Sequence, residues 1–135
     1  MSITDITQWI AFAGGDLKSA KCGLKDSFPA YHTICFLAQL SSEKYIKALL
    51  LYKGWKLVKQ HDLIYLANIL KKDYKINIDA IKESVIILNN CIVEARYPSD
   101  IDVNLFTQEL AEEAVEAAET VSDFVVEKIK GDKSC

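Results

Sequence analysis

The sequence predicts an all-α fold, an up-and-down bundle of about five helices. Apolar residues recur at spacings of three and four through most of the 135-residue chain, which is the period of an amphipathic helix. The chain has only two prolines and five glycines, too few for the many turns of a β-sandwich. No apolar run reaches the roughly 18 residues of a membrane span, so no membrane association is expected.

The five helices are expected to follow one another within a single domain. Their approximate ranges are 5–25, 29–53, 61–74, 77–96 and 107–130, and residues 131–135 are expected to form a flexible tail. Trp9 and Phe12 are expected to widen the apolar stripe of the first helix. The second helix is apolar on most sides, which places it at the centre of the bundle or in a subunit interface. It keeps one narrow polar stripe, formed by His32, Gln39, Glu43 and Lys47.

Several residues mark the expected helix ends. Asp26 or Ser27 can cap the second helix, and Gly54 is a natural stop for it. Asp62 is suited to the positive N-terminus of the third helix, and Thr107 to the start of the last. The Gly14-Gly15 pair predicts close helix packing or a local kink. No strand precedes this pair, so it is not a phosphate-binding loop, and a nucleoside-triphosphate or dinucleotide fold is excluded.

Charge and cysteine content limit the functional classes. Residues 18–75 carry eleven lysines and residues 79–127 carry twelve acids. Both segments could be solvated faces that attract each other when their helices pack antiparallel. Alternatively, the lysine-rich segment provides a basic surface for phosphate or nucleic acid. Cys35 and Cys91 lie in apolar stretches and are expected to be buried. The four cysteines lack zinc-type spacing, so no metal site and no cofactor is expected. The absence of an export signal favours the cytoplasm.

Three residues are candidates for chemistry. Arg96 is the only arginine in a chain with fifteen lysines, which indicates that this position requires a planar hydrogen-bond donor with two prongs. It closes the fourth helix, where it could instead contact the helix dipole or pair with Asp100. His61 and His32 are the possible acid–base groups, and each could equally have a structural role, His61 at a helix start and His32 on the polar stripe.

Three segments in order resemble the HEPN domain family. The first is Gln39-Leu40-Ser41-Ser42-Glu43-Lys44 leading into Ala48-Leu49-Leu50, and the second is His61-Asp62-Leu63. The third is Arg96-Tyr97-Pro98-Ser99-Asp100, followed by a long helix rich in alanine and glutamate. The resemblance spans nearly the whole chain. It implies a helical bundle that usually dimerises, in a prokaryotic protein often encoded beside a minimal nucleotidyltransferase as a toxin–antitoxin or similar pair.

Many members of that family are metal-independent ribonucleases that use an arginine followed four to six residues later by a histidine. Arg96 matches the arginine, but positions 101 to 103 hold Ile101, Asp102 and Val103, and no histidine follows. RNA cleavage without a metal normally needs a base and an acid. Asp102 substitutes poorly for a histidine near neutral pH, so the sequence favours a binding protein over an enzyme.

The resulting hypothesis is a homodimeric HEPN-type protein that binds a nucleotide or nucleic-acid phosphate, or that forms a complex with a nucleotidyltransferase. Arg96 would contact the phosphate and Tyr97 would stack, with Lys44 and His61 as further contacts. The alternative is an endoribonuclease toxin with an altered site made of Arg96, His61 and Asp102. A third possibility is a purely structural homodimeric scaffold, in which Arg96 only helps to end a helix.

Overall fold

The computed structural model describes residues 3–57, 59–96 and 103–133, and these form five α-helices with no strand. The helices are α1 (Ile3–Leu24), α2 (Tyr31–Tyr52), α3 (Leu63–Lys72), α4 (Lys82–Arg96) and α5 (Gln108–Lys133). Short 3-10 turns at Asp79–Ile81 and Val103–Leu105 precede α4 and α5. The predicted all-α class is confirmed. The last helix continues to Lys133, three residues beyond the predicted end at residue 130.

Helix α2 is the centre of the bundle, because it packs against each of the other four α-helices. The sequence left open a central position or a subunit interface, and the fold places α2 centrally. Its apolar residues Ile46, Leu49 and Leu50 have no exposed surface. Alanines and valines of α5 complete the core opposite them: Ala111, Ala114, Ala118, Val121 and Val125.

Helices α1 and α2 pack closely at Gly14, the first residue of the glycine pair, whereas a Cβ atom on Gly15 would meet nothing within 4 Å. A Cβ atom on Gly14 would lie 3.3 Å from the Tyr45 hydroxyl, and the buried Ser41 hydroxyl donates a hydrogen bond of 2.7 Å to the carbonyl of Ala13. Gly14 therefore serves close packing, one of its two predicted roles. The prediction that Phe12 widens the buried stripe is wrong, because 66% of Phe12 is exposed.

The helix ends follow local chemistry, with one exception. Gly54 adopts φ 97°, and the amides of Gly54 and Trp55 bond to the carbonyls of Leu51 and Leu50, which is the usual glycine-dependent stop. The Asp62 carboxylate caps α3, and the Thr107 hydroxyl accepts from the Leu110 amide at the start of α5.

The predicted cap of α2 is wrong. The Asp26 carboxylate accepts a hydrogen bond from the amide of Phe28, which closes a local turn instead. Helix α2 begins at Tyr31 without a side-chain cap. Pro29 accounts for the absence of a helix start at Asp26 or Ser27, since a proline disfavours helical backbone in the residue before it, here Phe28.

Candidate functional site

His61 lies at the end of the α2–α3 connection and contacts a buried carboxylate of α2. Its Nδ1 atom is 3.1 Å from both carboxylate oxygens of Glu43. The backbone amides of His61 and Asp62 both donate to the side-chain oxygen of Gln60, each at 3.0 Å, which fixes the approach to α3. The His61 side chain is 40% exposed, whereas that of Glu43 is only 6% exposed. The imidazole is therefore partly open to solvent, while the carboxylate that it contacts is buried.

Glu43 also joins two neighbours on the same face of α2. Lys47 Nζ is 3.0 Å from one carboxylate oxygen, and Gln39 Nε2 donates to the other at 3.4 Å. Gln39, Glu43 and Lys47 are all buried. An ion pair removed from water is tolerated only when its charges are paired and its hydrogen bonds are made. Three of the four residues of the predicted polar stripe thus form a buried network that reaches the surface at His61, whereas the fourth, His32, is exposed.

This contact fixes how the imidazole can act. An ionised carboxylate only accepts hydrogen bonds, so Glu43 keeps the His61 proton on Nδ1. The opposite nitrogen, Nε2, then carries the lone pair and makes no hydrogen bond within the described part of the chain. Such a histidine can accept a proton, or it can donate to an anion once it is protonated.

Helix α4 contacts the start of α3, two residues after His61, through Asn89. The side-chain oxygen of Asn89 accepts a 2.8 Å hydrogen bond from the amide of Leu63, the first residue of α3. Arg96 follows seven residues later, so the helical repeat places its Cα on the same face of α4, about 10 Å further along the axis. The backbone thus brings Arg96 to the side of α4 that meets the start of α3. Its side chain lies outside the described part of the structure.

We expect Asn89→Ala to lower the free energy of unfolding by about 1–3 kcal/mol, because it leaves the buried amide of Leu63 without an acceptor. Urea titration followed by circular dichroism measures the change. Asn90→Ala, at the neighbouring exposed position, is the control and should change stability by less than about 0.5 kcal/mol. Equal losses in both variants would contradict a special role for Asn89.

The other functional residues that the sequence suggested are not shown to join His61 and Glu43. Lys44 Nζ is 2.6 Å from the Asp16 carboxylate of α1 and 5.9 Å from the ring centre of Phe12, so Lys44 belongs to the α1 side of α2. The ring of His32 meets that of Phe106 edge-on, with centroids 6.2 Å apart. Tyr97 and Asp102 lie outside the described residues. Among those that are described, no three histidine, cysteine or acidic side chains are grouped so as to hold a metal ion.

Sequence reasoning assigned no function to Glu43, Lys47 or Asn89. A signal for the first two was present, because a glutamate and a lysine four residues apart stand in an otherwise apolar helix. That spacing is also typical of ordinary exposed ion pairs. Nothing in the sequence distinguishes Asn89 from Asn90, and only the packing of α4 on α3 does so.

These features define an all-helical bundle whose central helix carries a buried polar network that opens to the surface at one histidine. Comparison with known families then places the chain. The family model of the HEPN domain matches residues 6–129, and the protein therefore belongs to the HEPN domain family. No curated protein matches the chain.

Two solved structures share the fold. The protein TT1696 from Thermus thermophilus is 27% identical, with a TM-score of 0.79 over 91% of this chain and 97% of its own. ST0689, described as an archaeal HEPN homologue, is 23% identical, with a TM-score of 0.73 over 92% of this chain and 97% of its own. In the part of this chain that the structure describes, no helix combines the length and apolar character that crossing a membrane requires.

Proposed function

We propose that this HEPN protein binds the phosphate of a nucleotide or nucleic acid and acts together with a minimal nucleotidyltransferase, as in a toxin–antitoxin pair. The observation that carries the proposal is the half-exposed His61, oriented by Glu43 beside the α4 face that ends in Arg96. A protonated histidine and an arginine are both strong donors to phosphate oxygens. Tyr97 directly follows Arg96 and is the proposed stacking surface for a base.

The charges near His61 fit an anionic ligand. Glu43 is neutralised by Lys47 at 3.0 Å, so its carboxylate does not leave a net negative charge beneath the imidazole. Protonated His61 then adds one positive charge to this place, and in this proposal Arg96 supplies another. Phosphate binding through such groups weakens as salt rises, because counterions compete for the same charges.

We expect Arg96→Ala to weaken the binding of short single-stranded RNA or a nucleotide by about tenfold or more, because hydrogen bonds to charged groups contribute about 1.5–3 kcal/mol. Fluorescence anisotropy with a labelled oligonucleotide measures the affinity. Arg96→Lys should recover only part of it, since lysine keeps the charge but lacks the planar fork. Lys82→Ala, at the other end of α4, is the control and should bind like the wild type. Unchanged affinity in Arg96→Ala would remove Arg96 from the site.

The partnership has its own test. The tagged protein, expressed in its native host, should retain a nucleotidyltransferase when it is purified, and light scattering of the isolated chain should give the mass of a dimer. A purely structural scaffold predicts another result, in which Arg96→Ala alters stability and leaves both partner retention and ligand binding unchanged. Recovery of other partners without a nucleotidyltransferase would contradict the proposed pairing.

A second candidate is a metal-independent endoribonuclease, and the Glu43–His61 contact favours it. A carboxylate that fixes the tautomer of a histidine is the arrangement that prepares an imidazole for proton transfer. In this hypothesis His61 moves the proton, Arg96 stabilises the phosphate charge, and Asp102 is the second proton-transfer group. Incubation of RNA with the protein in EDTA decides between the candidates. Cleavage that is lost in His61→Ala supports the enzyme, and intact RNA with retained binding supports the binding protein.

A further inference from the structure

A groove between the start of α4 and the first half of α5 is not used by the function proposed above. It has a volume of about 340 Å³, and four acidic residues line it: Asp79, Glu83, Glu113 and Glu116. Asp79 belongs to the 3-10 turn before α4 and Glu83 to the first turn of α4, whereas the other two come from α5. The groove contains none of the residues assigned above to phosphate binding.

The charges of this groove are only partly compensated. Lys82 Nζ lies 3.2 Å from the Asp79 carboxylate, so Asp79 has a counterion. Within the part of the chain that the structure describes, the carboxylates of Glu83, Glu113 and Glu116 form no ion pair. Three uncompensated carboxylates on two neighbouring helices attract a cation and repel an anion. The groove therefore favours a cationic ligand.

A buried hydroxyl group also lines the groove. Ser84 is only 9% exposed, and its hydroxyl makes no hydrogen bond to any described residue. The helical residues Ser42 and Thr120, by contrast, each donate to the carbonyl four residues earlier, which is the usual bond of such a side chain. The only fully enclosed side-chain atom without a partner in the described residues is Gln39 Oε1, so the Ser84 oxygen is open to the groove. Since buried polar groups normally have a partner, this oxygen is available to a ligand.

The spacing of the acidic side chains disfavours a compact ion. Among the described residues, no three acidic side chains are grouped so as to hold a metal ion. Glu113, Glu116 and Thr120 lie at spacings of three and four residues on one face of α5, so this side of the groove extends roughly 10 Å. A ligand that uses the whole groove must therefore carry positive charges that are spread along a chain.

We propose that the groove binds a linear polyamine of the spermidine type. Each ammonium group of such a ligand has three donors, as in a lysine side chain, and the three unpaired carboxylates and the Ser84 hydroxyl supply acceptors. Its methylene segments suit Ala80, Ile87 and Ala117, which also line the groove. The volume lies at the lower end of the range of roughly 300–1,000 Å³ for small-molecule sites. A protein segment fits less well, because peptides usually bind a sheet edge or an apolar groove.

Isothermal titration calorimetry of the full chain with spermidine at low salt tests the proposal. We expect saturable binding of one spermidine molecule to each chain. Glu113→Gln should weaken this binding about fivefold, because it removes one charged partner and keeps a similar shape, at a position where water weakens the ion pair. Glu127→Gln makes the same charge change at an exposed position of α5 outside the groove, and this control should bind spermidine like the wild type.

Ser84→Ala separates ligand binding from folding. It should leave the midpoint of urea unfolding unchanged, because the hydroxyl has no partner among the described residues, and it should weaken spermidine binding about threefold or more. Arg96→Ala should bind spermidine normally, which separates this site from the phosphate site.

Three results would overturn the proposal. The first is spermidine binding that does not saturate. The second is equal weakening in Glu113→Gln and Glu127→Gln, since only the net charge of −3 would then attract the polyamine. The third is displacement of spermidine by a lower concentration of magnesium chloride or of an oligolysine peptide, since a metal ion or a protein segment would then be the better occupant.

Discussion

Replacing Glu43 by alanine is expected to lower the free energy of unfolding by about 3–5 kcal/mol, because it leaves the buried ammonium group of Lys47 without its counterion. The same change removes the carboxylate that accepts from Gln39 and His61. Urea titration with two independent probes measures the loss and tests whether unfolding remains two-state.

The control for Glu43 is an exposed ion pair in the same bundle. Lys21 and Glu119 lie 2.9 Å apart with nearly half of each side chain exposed. Water already solvates and screens this pair, so Glu119→Ala should lower the unfolding free energy by less than about 1 kcal/mol. Similar losses for Glu43→Ala and Glu119→Ala would contradict the burial of the network.

A double-mutant cycle separates the charge from the packing. Glu43→Met and Lys47→Met each leave one buried charge, whereas the double variant leaves none and fills a similar volume. We expect the double variant to be more stable than either single variant, since an apolar pair of similar size often matches a buried ion pair. Strictly additive losses would show that the two side chains do not interact.

Leu49→Ala is expected to lower the free energy of unfolding by about 2–5 kcal/mol. Leu49 has no exposed surface and lies on α2, which all four other helices contact, so the surrounding side chains cannot easily close the cavity that remains. Ile86→Ala is the matched control, because Ile86 is 51% exposed on α4 and loses little buried surface. The difference between the two midpoints in urea measures how strongly the bundle depends on α2. A loss below about 1 kcal/mol for Leu49→Ala would contradict its central position.

Most of the fold could be predicted from local patterns in the chain. The spacing of apolar residues predicted five helices, and Gly54, Asp62 and Thr107 act at helix ends as their side chains suggest. Burial of Cys35 and Cys91 was also predicted correctly. One wrong prediction, the cap of α2, has a local cause in the turn that Asp26 forms with Phe28, and another arose where the tertiary structure competes with a local pattern. Phe12 fits the apolar stripe of α1, yet α2 covers a narrower face than that stripe.

The candidate site was only partly predictable. The order of short motifs picked out His61 and Arg96, and it also picked out Lys44, which the structure places with Asp16 instead. A residue list cannot tell which face of α2 meets which neighbour. Glu43 and Lys44 differ by one position, yet Lys44 contacts α1 and Glu43 contacts the connection between α2 and α3. The role of Glu43 depends on His61, which lies eighteen residues away in sequence.

Periodicity, motif order and residue type were enough to establish the helical class and the resemblance to the HEPN family, and to single out Arg96 as a candidate. The packing of the helices was needed to establish that Gln39, Glu43 and Lys47 are buried, that His61 completes their network, and that Lys44 belongs to a different surface. This division arises because periodicity records how polar each face of a helix is. Whether a polar face meets water or a paired charge depends on contacts between residues far apart in the chain.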